Sequence, residues 1–165
     1  MPNLVRLAFL GALASLLVSC AAAPVASTST TAAAAKNRRI QKVRTTAYTH
    51  NEGSGGQNAI GHRLAGGRLK SAASDWSRYP LGTRFRVLST GDEYVIDDYG
   101  GALVGTNTID LYKPTTLEMR RWGVRHVDIE VIEWGSDEES LKVLRPRRFT
   151  RLGRRMIASL ESKKN

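Results

Sequence analysis

Short runs in which apolar and polar residues alternate fill the middle of the chain. In T-I-D-L-Y, residues 108–112, Ile109 and Leu111 alternate with more polar neighbours, which is typical of a β-strand with one buried face. Four further runs are rich in β-branched and aromatic residues and are bounded by turn residues; they cover 43–49, 85–88, 94–96 and 127–132. This pattern predicts a mostly β domain of short strands, either a small barrel or a sandwich.

One helix is predicted after the run at 108–112. Pro114 stands where a helix can begin, and the stretch T-T-L-E-M-R-R-W then runs on to Gly123, a typical C-cap. Residues 53–67 contain six glycines and are predicted to form a loop. The segment 41–135 is therefore interpreted as one domain, small but long enough to enclose a single core.

Strand alternation gives a direction to one aspartate and leaves two others undecided. If Ile109 and Leu111 lie in the core, Asp110 must face the opposite side, toward a groove or solvent. In Y-V-I-D-D, residues 94–98, the two aspartates lie on opposite faces, and each shares its face with an apolar residue. Alternation alone therefore does not decide which of these two aspartates points inward.

The N-terminus has the pattern of an exported protein. Residues 4–18 are almost wholly apolar with one early basic residue, Arg6, and this stretch is too short for a membrane span of ~20 apolar residues. It ends in L-V-S-C, which resembles the lipobox of bacterial lipoproteins. The resemblance implies that residues 1–19 are a signal peptide and that Cys20 is the lipid-modified first residue of the mature protein. The alternative is an ordinary signal peptide with a cysteine near its cleavage site.

Cys20 is the only cysteine, so the chain cannot form an intramolecular disulfide, and lipidation explains the lone thiol. Residues 21–35 are mostly Ala, Ser and Thr, and we interpret 20–40 as a flexible, disordered tether. The expected location is the cell envelope, at the membrane surface, and the periplasmic face of the outer membrane if the source is Gram-negative.

The net charge of +10 belongs to the two flanks of the chain. Residues 142–165 hold nine Lys and Arg against one acid, whereas residues 45–141 hold ten against fourteen acids. We interpret 136–165 as a basic tail, with a short amphipathic helix possible over 151–160, that contacts anionic lipids or acidic wall polymers. The alternative is a solvated tail without a partner. Nucleic acid is not an expected partner, because an exported lipoprotein meets little of it.

Asp97, Asp98 and Asp110 are crowded around a glycine-containing turn, which indicates either a bound cation or a proton that the site must hold. Calcium loops place ligands at alternate positions, as in D-x-D-x-D-G, so calcium is the weaker alternative here. The three histidines lack metal-ligand spacing, and no G-x-S-x-G motif is present. No metal or cofactor is therefore expected, and Asp97 is interpreted as a turn or surface acid.

Three motifs follow one another along residues 73–112: A-S-D-W-S-R-Y-P-L-G-T, D-Y-G-G-A-L-V-G and T-I-D-L-Y. Together they resemble the 3D (three-aspartate) domain of bacterial wall proteins related to membrane-bound lytic transglycosylase A and to stationary-phase and resuscitation-type wall enzymes. T-A-Y-T at 46–49 and W-G-V-R-H-V-D-I-E-V at the end resemble the borders of that domain. The resemblance implies a six-stranded double-psi β-barrel with one or two short helices.

The resemblance also implies a set of site residues. Asp75, Asp98 and Asp110 match the first, second and third aspartates, and in the resembling transglycosylases the third is the catalytic acid and the second supports it. Asp98 and Asp75 are expected to hold negative charge or hydrogen bonds near Asp110, so that Asp110 keeps its proton. The residues expected to bind the glycan are Thr46, Tyr48, Tyr99, Gly100 and Gly101.

The implied activity is that of a peptidoglycan lytic transglycosylase, which cleaves the MurNAc-β-1,4-GlcNAc bond and forms 1,6-anhydro-MurNAc. One carboxyl group suffices for this reaction, because it first protonates the leaving oxygen and then accepts the proton of the attacking C6 hydroxyl. A hydrolase would need two positioned carboxylates. The alternative is a non-catalytic, expansin-like module that binds peptidoglycan or another polysaccharide on the same barrel.

Overall fold

Six strands form a closed barrel in the computed structural model, which describes residues 38–52 and 55–163. They are β1 Arg39–Tyr48, β2 Leu69–Ala73, β3 Arg84–Val87, β4 Glu93–Asp98, β5 Thr108–Tyr112 and β6 Arg125–Glu133. Around the barrel the order is β1-β5-β2-β4-β3-β6, and β6 closes against β1. The pairs β1–β5 and β2–β4 are parallel, and the other pairs are antiparallel. The predicted mostly β, six-stranded barrel is confirmed.

The strand that hydrophobic patterning did not detect is β2. Its sequence, L-K-S-A-A, has little of the β-branched or aromatic character of a typical strand. Ser71, Ala72 and Ala73 are all buried, so both faces of its end are covered. Small side chains fit there because β2 lies between β4 and β5 inside the continuous sheet.

A bulge at the end of β4 decides the direction that alternation left open. Ala72 pairs with Ile96 but Ala73 pairs with Asp98, so Asp97 is an extra residue in β4 relative to β2. Ile96 is fully buried in the core. Strict alternation would turn Asp98 toward the core with Ile96, and the extra residue instead allows Asp98 to face the open end of the barrel.

The predicted helix after β5 is confirmed as α1, Thr116–Trp122. Thr115 is the N-cap, and its side chain and that of Glu118 form a reciprocal capping box. Gly123 follows at positive φ as the C-cap. Trp122 is buried, and its indole N–H donates to the hydroxyl of Thr45 in β1, which fixes α1 against the barrel.

The C-terminal segment is part of the folded core. It forms α2 Asp137–Leu144, a 3₁₀ turn Arg145–Arg147 and α3 Arg151–Ser162, whereas the sequence analysis treated it as a basic tail with at most one short helix. The hydroxyl of Ser140 accepts a hydrogen bond from the backbone N–H of Leu81, which ties α2 to the barrel. The buried apolar residues that these helices add to the core cluster are Leu141, Leu144, Met156 and Leu160.

The folded region begins slightly before the boundary expected at residue 41, because β1 starts at Arg39. The signal peptide, Cys20 and nearly all of the expected tether lie outside the described residues. Within 38–52 and 55–163, no helix has the length and hydropathy needed to cross a membrane.

Candidate functional site

Strand pairing places two of the three expected aspartates in one row across the barrel. Thr46 on β1 pairs with Asp110 on β5, Asp110 pairs with Ala73 on β2, and Ala73 pairs with Asp98 on β4. Asp98 and Asp110 are therefore two strand spacings apart, roughly 10 Å between backbones. The small side chain of Ala73 lies between them, which leaves the space above it open.

This row lies at the base of an open cavity of about 800 Å³. That volume is within the range of small-molecule and cofactor sites, ~300–1,000 Å³. The strands contribute Tyr48, Ala73, Asp98 and Asp110 to its lining, and the rest comes from two loops and the C-terminal segment. The other lining residues are Glu52, Gln57, Asn58, Ala59, Gly61, Leu64, Tyr99, Gly100, Gly101, Ala102, Leu103 and Arg147.

Asp110 faces the cavity, as alternation predicts, because Ile109 and Leu111 on either side are fully buried in the core. One of its carboxylate oxygens accepts a 2.6 Å hydrogen bond from the hydroxyl of Thr46. Burial raises the pKa of the Asp110 carboxyl, and the hydrogen bond from Thr46 opposes this rise. The negative charge of Glu52, which also lines the cavity, raises it further.

Asp98 is held from two sides. The backbone N–H of Tyr99 donates to one carboxylate oxygen at 2.9 Å, and the hydroxyl of Tyr48 approaches the other at 3.5 Å. Burial raises the pKa of Asp98 to about 6, with the Tyr99 N–H opposing the rise and the charge of Asp97 adding to it. A carboxyl with this pKa is partly protonated near neutral pH.

Burial is thus the largest cause of the raised pKa of each of these carboxyls. The sequence analysis expected negative charge or hydrogen bonds from Asp98 and Asp75 to keep Asp110 protonated. The charges that raise the pKa of Asp110 and Asp98 instead come from nearer acids, Glu52 and Asp97 respectively. This difference follows from the two strand spacings between the carboxyl groups, since charge interactions weaken with distance.

Tyr48 lines the cavity together with the two acids. Burial raises the pKa of its hydroxyl far above the usual range, and the charges of Asp98, Asp97 and Asp110 add to the rise. The hydroxyl therefore stays protonated and can donate a hydrogen bond to Asp98 or to a ligand. Its ring lies edge-on to Tyr112, 5.6 Å between centroids, which fixes its orientation.

The structure does not bring Asp75 to the cavity. Asp75 is 3% exposed, and its two carboxylate oxygens accept hydrogen bonds from the backbone N–H groups of Ser77 at 2.9 Å and Gly105 at 2.7 Å. It thereby joins the turn after β2 to the loop before β5. A direct role for Asp75 in chemistry, and its expected support of Asp110, remain predictions from the resemblance.

Asp97 is buried, so its interpretation as a turn or surface acid is wrong. Its carboxylate accepts from the hydroxyl of Ser71 at 2.6 Å and from the side-chain amide of Asn58 at 2.8 Å. The carbonyl oxygen of the Asn58 side chain in turn accepts from the backbone N–H groups of Ile60 and His62. The residue that forms the β4 bulge therefore anchors the glycine-rich loop that makes one wall of the cavity.

The turn after Asp98 forms another wall of the cavity. The Tyr99 ring packs edge-on against Trp76 with 5.0 Å between centroids, so it is held in place beside the cavity. Gly100 and Gly101 line the cavity, and a Cβ added to Gly101 would meet no atom within 4 Å. The backbone at Gly101 therefore leaves free space in the cavity that Asp98 and Asp110 line.

Sequence reasoning missed Arg147, which also lines the cavity. Nothing in the run R-P-R-R distinguishes it from the other arginines of a basic segment, and only its packing brings it to the site. Among residues 38–52 and 55–163, no three His, Cys, Asp or Glu side chains are grouped so as to hold a metal ion.

The barrel matches a known domain family. The family model of the 3D domain matches residues 70–133, from β2 to the end of β6. The match includes Asp75, Asp98 and Asp110. Thr46, which lies before it, and Arg147, which lies after it, are outside the matched stretch.

Two individual proteins are similar to this chain. The cell wall-binding protein YocH of Bacillus subtilis (strain 168) is 37% identical over 92 residues, which is 54% of this chain and 31% of that protein. The chain thus spans about a third of the length of this relative. The crystal structure of MltA from E. coli has a TM-score of 0.36 and 26% identity, over 48% of this chain and 28% of the other.

Proposed function

This chain carries a 3D domain, and from that premise we propose that it acts on the glycan strands of peptidoglycan in the cell envelope. The name of its Bacillus relative, a cell wall-binding protein, supports a wall polymer as the partner. The reaction we propose is that of a lytic transglycosylase, in which the MurNAc-β-1,4-GlcNAc bond is cleaved and 1,6-anhydro-MurNAc is formed.

The observation that carries this proposal is that Asp98 and Asp110 line one cavity and that burial raises the pKa of both carboxyls. Protonated Asp110 gives its proton to the glycosidic oxygen as the bond to the muramyl anomeric carbon breaks. The resulting carboxylate then takes the proton of the C6 hydroxyl as that oxygen bonds to the same carbon. The proton returns to Asp110, so one carboxyl group completes the cycle.

The remaining residues have positioning roles in this proposal. Thr46 orients the Asp110 carboxyl through its hydrogen bond. Asp98 and the protonated hydroxyl of Tyr48 hydrogen-bond the sugar beside it. The faces of Tyr48 and Tyr99 and the open backbone at Gly100 and Gly101 accommodate the sugar rings.

A polymer also needs space beyond one disaccharide. A second cavity of about 510 Å³ adjoins the first, and Gln57 and Leu64 line both. The imidazole of His50 and the hydroxyl of Tyr112, 3.1 Å apart, lie in its wall. We propose that the glycan strand continues into this second cavity.

The second candidate is the non-catalytic, expansin-like wall-binding module, and the name of the Bacillus relative, a cell wall-binding protein, favours it. The cavity and its aromatic residues would serve binding equally well. A raised carboxyl pKa serves a proton transfer and is not needed for sugar binding, and we therefore place the enzyme first.

The test is mass spectrometry of purified peptidoglycan after digestion by residues 21–165, which retain every described residue. Wild-type protein should produce anhydro-muramyl ends, and Asp110→Asn should produce none. Asp92→Asn makes the same chemical change at an acid that pairs with Lys70 away from the cavity, and it should match wild type.

Other outcomes assign the function differently. Anhydro ends that survive in Asp110→Asn but disappear in Asp98→Asn would move the acid role to Asp98. Reducing ends would indicate a hydrolase that uses the two carboxyls as a pair. Retained sedimentation with the wall but no cleavage products would establish the binding module.

We also propose that Cys20 carries a lipid anchor and that the exposed arginines of the C-terminal segment contact anionic headgroups or acidic wall polymers. Cys20→Ser should move the protein from the membrane fraction to the soluble fraction. Binding of the unlipidated protein to anionic vesicles or wall polymers should weaken with salt. Membrane association that is unchanged in Cys20→Ser would contradict the anchor.

A further inference from the structure

The C-terminal segment contributes one positively charged side chain to a cavity whose other charged lining residues are acids. Arg147 ends the 3₁₀ turn that joins α2 to α3, and it lines the cavity together with Glu52, Asp98 and Asp110. Among the described lining residues it is the basic one. Arg147 also lies beyond the stretch that the 3D family model matches, whereas Asp98 and Asp110 lie within it. The cavity therefore combines acids from the matched stretch with a cation from outside it.

The guanidinium group of Arg147 is fixed in position. It donates a 2.6 Å hydrogen bond to the backbone carbonyl of Ala59 and a 3.3 Å hydrogen bond to the hydroxyl of Tyr99. Its central carbon lies 5.6 Å from the centroid of the Tyr99 ring. These contacts bridge the two walls of the cavity, because Ala59 belongs to the glycine-rich loop and Tyr99 to the turn after β4.

These contacts leave donor capacity for a ligand. An arginine has five N–H donors, and the two contacts to Ala59 and Tyr99 use two of them. Within 38–52 and 55–163, no carboxylate forms an ion pair with Arg147. Burial also favours the neutral forms of Asp98 and Asp110, so these acids compensate its positive charge less than ordinary carboxylates would.

We infer that Arg147 binds a carboxylate of the glycan strand and thereby selects strands that contain muramic acid. The role rests on the proposed peptidoglycan substrate and specifies which part of it the protein recognises. Of the two alternating sugars, only the muramyl unit carries carboxylates, either on its lactyl group when no peptide is attached or on its stem peptide. A planar guanidinium suits this group because it can hold both carboxylate oxygens at once.

The binding measurement uses residues 21–165 with Asp110→Asn, so that the glycans stay intact. Three ligands of matched length are compared by calorimetry: strands with stem peptides, strands whose peptides have been removed by an amidase, and N-acetylglucosamine oligomers without carboxylates. Arg147→Gln is measured beside Arg145→Gln, which removes the same charge from an exposed neighbour that does not line the cavity.

We expect Arg147→Gln to weaken binding of carboxylate-bearing strands roughly 10-fold or more, as for a lost hydrogen bond to a charged group. Binding of the N-acetylglucosamine oligomers should change little. Arg145→Gln should bind all three ligands as tightly as the Asp110→Asn protein without further changes. The affinity of Arg147→Lys for carboxylate-bearing strands should lie between those of Arg147→Gln and the protein with Arg147 intact, because lysine keeps the positive charge but lacks the planar guanidinium group. A loss seen with peptide-free strands identifies the lactyl carboxylate, and a loss confined to peptide-bearing strands identifies the stem peptide.

Equal weakening with all three ligands would overturn the inference, since it would mean that Arg147 only holds Ala59 and Tyr99 in place. No weakening with any ligand would overturn it as well. The proposed cleavage activity can fail on its own. In that case the wild-type protein makes no anhydro-muramyl ends, but binding of carboxylate-bearing strands still depends on Arg147. If the protein with Arg147 intact binds none of the ligands, both the inference and the proposed function fail.

Discussion

The hydroxyl of Thr46 donates a 2.6 Å hydrogen bond to a carboxylate oxygen of Asp110 across the parallel strands β1 and β5. The two residues are direct partners in the strand register, so the barrel itself fixes this contact. A hydrogen bond of this kind favours the ionised carboxylate. It therefore lowers the pKa of Asp110, while burial raises it.

Thr46→Val removes this donor and keeps the β-branched shape of the side chain. The pKa of Asp110 should rise further, and the decline of cleavage activity at alkaline pH should move to higher pH, because the acid keeps its proton longer. The measurement is the rate of anhydro-end formation across the pH range. Thr46→Ser retains the hydroxyl and should keep the wild-type profile; an unshifted profile for Thr46→Val would show that Asp110 is not the acid.

Asp98→Asn should change the pH dependence of stability. The folded-state pKa of Asp98 is about 6, above its ordinary value of 3.8, so protonated Asp98 stabilises the fold fully below the ordinary value, and this stabilisation is lost as pH rises through about 6. Solvent screening in the open cavity limits the loss to about 1–2 kcal/mol.

Denaturant unfolding of wild type and Asp98→Asn at pH 4 and pH 8 measures this effect. The free energy of unfolding of the variant should exceed that of wild type at pH 8 by more than at pH 4. Asp92→Asn serves as the control and should not show this gain. An equal difference at both pH values would contradict a raised pKa at Asp98.

Asp75→Ala should act through stability. The change leaves the backbone N–H groups of buried Ser77 and exposed Gly105 without their carboxylate acceptor, at a cost of about 1–3 kcal/mol in the free energy of unfolding. Activity per folded molecule should be retained, because Asp75 does not line the cavity. Thermal unfolding and cleavage assays separate the two effects, and a lost rate at unchanged stability would restore a chemical role for Asp75.

Met156→Ala should destabilise the whole domain, because this α3 side chain is fully buried in the common core. The expected loss is about 2–5 kcal/mol, and the volume-conserving Met156→Leu should lose far less. Unfolding should remain a single transition when followed both by tryptophan fluorescence and by backbone circular dichroism. A separate early transition would mean that α3 is not integral to the domain. Deletion of residues 142–165 would likewise remove core residues, so its effect would report on folding and not on wall binding.

Local patterning predicted the elements whose signals lie within their own residues. β5 follows a strict alternation that sends Asp110 to the cavity, and α1 lies between the start and stop signals predicted at Pro114 and Gly123. β2 has no such signal, since its identity as a strand depends on what covers it. The burial of Asp97 likewise depends on a bulge defined by a neighbouring strand.

From the sequence by itself, side-chain periodicity predicted a small, mostly β domain, and the resemblance of its motifs to the 3D domain implied a six-stranded barrel with three aspartates, because periodicity and motif order are local properties. Only the tertiary structure decided that Asp98 and Asp110 share a cavity while Asp75, outside its lining, accepts hydrogen bonds from two backbone N–H groups. It alone also decided that burial sets the two pKa values and that Arg147 belongs to the site. Each of these depends on contacts between residues far apart in the chain, and on how completely the surrounding atoms exclude water, which no local pattern records.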